Sequence, residues 1–322
     1  MAPLAAVLQT LCVAVLACAG IPAQAQGWPG KPLRWIVPFP PGGSVDISTR
    51  PVAERVAQAL GTTSVVENRA GAGGNIGIEA VSKSAPDGTT LLVAPDSISS
   101  NPHLYKVTWD ASRDFAAVIQ LARQPVVLAV HPSLGVSSVK ELVALARQKP
   151  GLGFATSGAG SQQHMAGEWF ARIAGIQLTH VPYKGGGQAI ADLVGGQVQI
   201  GSLGSSPVIP HYKAGKLRVI AQTTRGRAPS LPEVPTYDEA GVKGLFIEQW
   251  IGIFVPAATP AEVVARLNTE IGRALAEPGI RERYAQAALE PVAGTAEQFA
   301  QHVRDTTAMY GRLVKELNIR VD

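Results

Sequence analysis

Apolar positions along this chain switch repeatedly between two periods. Leu33, Trp35, Ile36, Val37 and Phe39 form an apolar run suited to a buried strand. Pro40-Pro41-Gly42-Gly43 stops it, because proline lacks a ladder donor and glycine permits positive φ. Val52, Val56 and Leu60 then recur at i, i+4 and i+8, which predicts a helix with Ser44 as its cap. Strand, glycine turn and helix in series place free backbone N–H groups at the carboxyl edge of a sheet. Such an edge accepts an anion without a charged side chain, although an ordinary βα connection carries the same pattern.

The alternation continues. Ser64–Glu67 predicts a strand, Ala70–Gly77 a glycine-rich turn into a helix, and Thr90–Ala94 a strand followed by a polar turn, Ser97–Pro102. Phe115–Leu121 and Val126–Val130 are two apolar runs nearly end to end. Ser138 and Glu141 form a capping box for a helix over Val139–Gln148. Leu152–Thr156 is the next strand, and Ser157-Gly158-Ala159-Gly160-Ser161 a small-residue turn. The helix after it presents Met165, Trp169 and Ile173 on one face and stops at Gly175. Strands at Gln177–Val181, Gln199–Leu203, Leu217–Gln222 and Trp250–Val255 alternate with helices at Ala189–Val194, from Ser205, and at Pro260–Ala276 capped by Thr259. An amphipathic helix over Thr295–Leu317 ends the chain. This order predicts an α/β fold with largely parallel sheets. The unit Leu152–Gly175 echoes Leu33–Leu60, so two lobes would each offer an amide-lined turn, and a ligand between them would meet two helix amino ends.

Composition changes the picture in two ways. Residues 1–25 hold no charged side chain, Leu4–Ala19 is mostly apolar, and Ala23-Gln24-Ala25 is a small-x-small site; a cleaved signal peptide is expected, with a lipoprotein processed at Cys18 as the minority alternative. Both cysteines, Cys12 and Cys18, fall in that leader, leaving about 300 residues without disulfide or thiolate chemistry. The formal charge of +4 is scattered rather than clustered, so nucleic acid is not an expected partner.

Candidate chemistry points to binding without turnover. No P-loop, G-x-S-x-G or H-E-x-x-H motif occurs, and the glycines of Ala70–Gly77 do not match G-x-G-x-x-G. His164 and Glu168 share a helix face, but two donors do not close a metal site. No metal or cofactor is therefore expected. A hydrogen bond from His164 to its own turn, a core position for Trp169, a solvated Lys184 and a capping role for Asp46 are the plain readings of these residues. A carboxylate partner for Lys184, and a water or ammonium on Asp46, are the alternatives.

Ordered motifs then accumulate: Trp28-Pro29-x-Lys31-Pro32, Val37-Pro38-Phe39-Pro40-Pro41-Gly42-Gly43 with Asp46, Val66-Glu67-Asn68-Arg69-x-Gly71-Ala72-Gly73-Gly74, Ser157-Gly158-x-Gly160-Ser161-x-x-His164 and Val181-Pro182-Tyr183-Lys184-Gly185. With Pro86-Asp87-Gly88 and Leu231-Pro232-Glu233-Val234-Pro235-Thr236, they span the chain after the leader. The sequence resembles the solute-binding receptors of tripartite tricarboxylate transporters, the Bug or TctC-like family. That resemblance implies a periplasmic, two-lobed, type II (Venus flytrap) binding protein, each lobe a mainly parallel sheet flanked by helices. It implies lobe 1 at 26–124 plus 250–322 and lobe 2 at 125–249, with crossings near Arg123–Val126 and Gln249–Gly252. It further implies capture of a small carboxylate (dicarboxylate, tricarboxylate, amino acid or aromatic acid) by a monomer that serves membrane permease subunits. Carried over by position, the ligand-binding residues are Phe39, Pro41, Gly42, Gly43 and Asp46 from one turn, and Ser157, Gly158, Gly160, Ser161 and Gln163 from the other. Ser97, Tyr183, Lys184, Gly185 and Ser205 are further candidates from neighbouring turns.

Three stretches depart from the expected pattern. Pro51 falls where the first helix should be under way, so either the helix starts there or its first turn is irregular. Gly186-Gly187-Gln188 is richer in glycine than expected, and Gly201-Ser202-Leu203-Gly204-Ser205 is unusual in having no aspartate near its strand end, so the identity of the solute does not carry over. A sensing receptor for a signalling system, and an exported hydrolase using Ser161 or Ser97 with His164, are the competing functions.

Overall fold

The computed structural model describes residues 27–321; the leader with its cleavage and lipoprotein sites lies outside them. Contacts divide the chain into a unit ending at Gly30, of which residues 27–30 carry no strand or helix, and a main unit, Lys31–Asp322, to which all that follows belongs.

The unit opens as the apolar pattern predicts. β1 (Leu33–Val37) leads through Pro40–Gly43 into α1 (Ser44–Ala59), and β2 (Ser64–Asn68) follows, parallel to β1. A 3-10 turn at Ala72–Gly74 leads into α2 (Asn75–Ser82), and β3 (Thr90–Pro95) pairs parallel with β1 on its other side. Ser97–Pro102 is not an open turn. Ser97–Ser100 coils into a short helix, α3, and Asn101–His103 into a 3-10 turn.

The two apolar runs at 115–130 are a single strand, β4 (Phe115–Val130). Its middle is polar because Arg123 and Gln124 bond there to other elements, not because the strand breaks. α4 (Val139–Gln148), β5 (Leu152–Thr156), α5 (Gln162–Ala174), β6 (Leu178–Pro182), α6 (Gly186–Val194), β7 (Ile200–Gly204), α7 (Ser205–Lys213) and β8 (Arg218–Gln222) form the second half. β9 (Glu248–Pro256) then re-enters the first half, followed by α8 (Ala261–Ala276), α9 (Pro278–Gln286), β10 (Glu290–Ala293) and α10 (Ala296–Glu316). The strand order is β2-β1-β3-β9-β4-β7-β5-β6, with β8 and β10 also on β4. Phe115–Pro125 pairs with β9, whereas Val126–Val130 pairs with β7 and β8, so β4 belongs to both sheets. Parallel pairs lie at the outer strands and antiparallel ones at β4 and β9, which makes each sheet mixed.

Each half has its own core. Ile36, Leu92, Trp250 and Phe254 pack in the first, and Leu128, Phe154, Met165 and Phe170 in the second. α10 serves both: Phe299 and Val303 join the first core, Tyr310, Leu313 and Val314 the second. Its capping box at Thr295 and Gln298 is complete.

Several local expectations shift. α1 starts at Ser44 with Gly43 as N-cap and runs through Pro51, so the helix does not begin at the proline and Ser44 does not cap it. Ser48 and Thr49 hydroxyls donate to the Val45 carbonyl, 3.0 and 2.6 Å, in the turn before it. Ser138 does cap α4, but the Glu141 carboxylate accepts from the Ser137 N–H instead of closing the box on Ser138. Thr259 does not cap α8; Pro260 is its N-cap and the Thr259 hydroxyl is buried without a partner. On α5 the apolar side chains buried in the second core are Met165, Ala166 and Phe170. Trp169 packs on that core only partly, and Ile173 is exposed.

Candidate functional site

The turn after β1 and the turn after β5 face one another. Phe39, Gly43 and Asp46 from the first, with Ser157 and Gln163 from the second, line one cavity of about 30 Å³. Pro40, Ser44, Val45, Pro95, Gly186, Pro207 and Gln249 complete it. α1 has no side-chain cap, so the N–H groups of its first turn, at Ser44, Val45 and Asp46, lack helical acceptors at the cavity wall. The lining contains no Lys, Arg or His.

The two turns approach closely because glycines permit it. A Cβ at Gly185 would stand 2.8 Å from Pro40 Cδ, and one at Gly187 would stand 3.2 Å from the Pro41 carbonyl oxygen. The glycine-rich stretch after Tyr183-Lys184 is thus a contact surface for the Pro40-Pro41 turn.

Asp46 orders its own turn. It accepts from Gly42 N–H at 3.2 Å, from Arg50 in a two-pronged ion pair at 2.6 and 3.1 Å, and from Asn68 Nδ2 at 3.1 Å. Burial raises its pKa, but Arg50, Gly42 and Asn68 together outweigh it and hold the carboxyl below its ordinary value. Gly42 N–H is therefore spent on Asp46, and Gly42 and Pro41 face a separate groove outside the cavity.

Much of the second turn is structural. Ser161 Oγ donates to Gly158 O at 2.7 Å and accepts the His164 N–H at 3.2 Å. His164 Nδ1 accepts Gly160 N–H at 3.1 Å, and its ring stacks on His180 with centroids 3.6 Å apart. Burial, with His164 beside it, pushes His180 down to about 3. None of these bonds joins the imidazole to the Ser161 hydroxyl, so no nucleophile–base pair forms. Ser157 N–H donates to Gln163 Oε1 at 2.9 Å. Gly158 and Gly160 lie behind the lining: the Gly160 carbonyl accepts from Ser100 Oγ of the other half, and a Cβ there would strike Leu104.

The neighbouring candidates do not reach the cavity. Tyr183 donates to Asp192 at 2.7 Å, Lys184 is exposed, and Ser97 is buried without a partner for its hydroxyl. Ser205 Oγ bonds Gln124 Oε1 and the Ala288 carbonyl at 3.3 and 3.1 Å.

Sequence reasoning missed the floor. Gln124 Nε2 donates to Gln249 Oε1 at 2.5 Å, while Gln124 Oε1 accepts Ser206 N–H at 2.8 Å, at the start of α7. A Cβ at Gly204 would stand 2.6 Å from both amide ends, which explains that glycine. Two polar residues flanking the apolar runs, at the crossings, were the available signal. Asp96 is buried beside them, 2 % exposed; its Oδ2 accepts from Tyr310 OH at 3.1 Å, and Gln249 bonds it too. A larger groove, about 590 Å³, lies on the other face of β4 and β9, among Arg123, Arg225, Phe246, Trp250 and His302; no predicted residue lines it. Among the described residues no cluster of three or more His, Cys, Asp or Glu could hold a metal, and no helix is long and apolar enough to cross a membrane.

Comparisons with known proteins agree with this architecture. The family described as tripartite tricarboxylate transporter family receptor matches residues 48–319. Protein BugT of Bordetella pertussis is 35% identical over 316 residues, 95% of this chain and 96% of that one. The structure of Rpa4515 from R. palustris with adipate superposes with a TM-score of 0.88 at 34% identity, covering 91% of this chain and 99% of that one. MatC from Rhodopseudomonas palustris with bound malate gives 0.83 at 28% identity, covering 89% and 100%. This chain belongs to the tripartite tricarboxylate transporter receptor (Bug/TctC) family, whose members are solute-binding receptors and not enzymes.

Proposed function

We propose that this protein captures a small carboxylate between the Phe39–Asp46 turn and Ser157–Gln163, and delivers it to the membrane subunits of a tripartite transporter. Residues 26–124 with 250–322 act as one lobe and 125–249 as the other, and the mature protein works as a periplasmic monomer after loss of residues 1–25. The observation that carries this reading is that two glycine turns from opposite sheets line one cavity at the uncapped start of α1. A carboxylate there would accept the Ser44, Val45 and Asp46 N–H groups, favoured by the helix dipole. About 30 Å³ holds little more than a water, so the lobes part to admit a solute and close over it. The relatives whose structures carry adipate and malate support the acid class.

A calorimetric and thermal-shift screen of mono-, di- and tricarboxylates, amino acids and aromatic acids, beginning with adipate and malate, tests it. One acid per protein with micromolar affinity, about −8 kcal/mol, is expected. Gly43→Phe should abolish binding while the protein still folds, because a Cβ at 43 has only the Pro40 carbonyl oxygen near it, at 3.9 Å. Binding that survives this change would move the site elsewhere.

A further inference from the structure

Asp96 is a buried carboxyl whose contacts are all neutral. It follows Pro95 and bonds Gln249, both of which line the cavity, so it sits one residue behind the wall. Its other partner is the Tyr310 hydroxyl, which in turn accepts from Gln162 Nε2 of the opposite half at 2.8 Å.

The charged groups on the elements packed around Asp96 are engaged elsewhere. On β9, Glu248 faces the opposite side of the strand, 3.6 Å from Arg123. On α10, Asp305 and Arg304 bond Gln301, and His302 packs on Trp250. His103 bonds the Thr307 carbonyl, and on α5 His164 lies 3.6 Å from Glu168. Across the cavity, Asp46 is neutralised by Arg50. Burial pushes Asp96 up to about 7, against the weaker pull of Tyr310, its own backbone and Gln249.

The cavity likewise offers an anion no cationic side chain: amides and hydroxyls line it, and its one carboxylate, Asp46, is already held by Arg50. A carboxylate held there adds a negative charge beside Asp96 with no cation to offset it. We propose that Asp96 is a proton site linked to solute capture: as the protein closes on a carboxylate, Asp96 takes one proton from solvent, so the anion is bound together with that proton. By linkage, protonating Asp96 favours solute binding, and rising pH favours release. This inference rests on the carboxylate reading above.

Calorimetry with adipate and malate as probes, at pH 7.5 in buffers of different ionisation enthalpy, measures the proton count. The wild type should take up between about half and three-quarters of a proton per solute, because Asp96 at about 7 is already partly protonated at pH 7.5, and Asp96→Asn none. Affinity should fall by up to about tenfold per pH unit between pH 7.5 and 9 in the wild type and stay flat in the variant. Binding with a buffer-independent enthalpy overturns the proton site and leaves the carboxylate reading standing; if neither probe binds, the acid found by the screen above takes their place, and a screen that finds no acid removes both. If Asp96→Asn does not fold, carboxyl ¹³C titration of the wild type decides. One aspartate should titrate near neutrality and move upward when adipate or malate is bound; a signal that stays put overturns the proposal.

Discussion

Gly187 and Asp46 set opposite requirements on the same turn. Gly187 must stay small, because any side chain there meets the Pro41 carbonyl. Gly187→Val should hold the turns apart and weaken solute binding by at least about tenfold, with little change in Tm, as read by calorimetry and thermal unfolding. Asp46 must stay charged, since three donors converge on it. Asp46→Ala should cost about 2 kcal/mol in urea unfolding at pH 7. Its folded-state pKa is depressed, so this contribution is present above the ordinary carboxylate range and lost as pH falls through it. The gap between wild type and variant should narrow as the pH falls below the ordinary carboxylate range. Raising the pKa, as at Asp96, gives the reverse sign: that contribution is full in acid and lost as pH climbs through about 7.

Elements were legible wherever period and punctuation agreed. α4 and β5 match their expected spans, while the complete capping box of α10, Thr295 with Gln298, was not singled out from the sequence. Thr295→Ala should cost about 1 kcal/mol in chemical unfolding, and Gln298→Ala a smaller amount. Misreadings came where a partner distant in sequence intervened. α1 does not begin at Pro51 but at Ser44, because the proline's missing N–H costs only one bond in a helix packed along Val52 and Val56, both fully buried. Ser97–Pro102 coils rather than turns, because Ser99 and Ser100 hydroxyls find acceptors in α10 and at Gly160. The split of β4 into two runs reflected polar residues whose partners, Gln249 and Glu290, lie over a hundred positions away.

At the scale of the main unit, the two sheets meet at β4 and β9, and the Gln124–Gln249 pair sits at that junction. Gly204 gives the pair its room. Gly204→Ala should force the amides apart and destabilise the protein by about 1–3 kcal/mol in chemical unfolding. It should also lower solute affinity, because Gln249 lines the cavity.

The sequence by itself determined the alternation of elements, the thiol-free body and the two glycine turns, because these depend on local period, composition and punctuation. It also carried the family, through ordered motifs. Only the tertiary structure decided which turn residues face the cavity, that Gly160 and Ser161 lie behind it while Ser44, Val45 and Gln249 line it, and that Asp96 is buried among neutral partners. Those outcomes depend on side chains brought together across two sheets, and no local pattern encodes such a meeting.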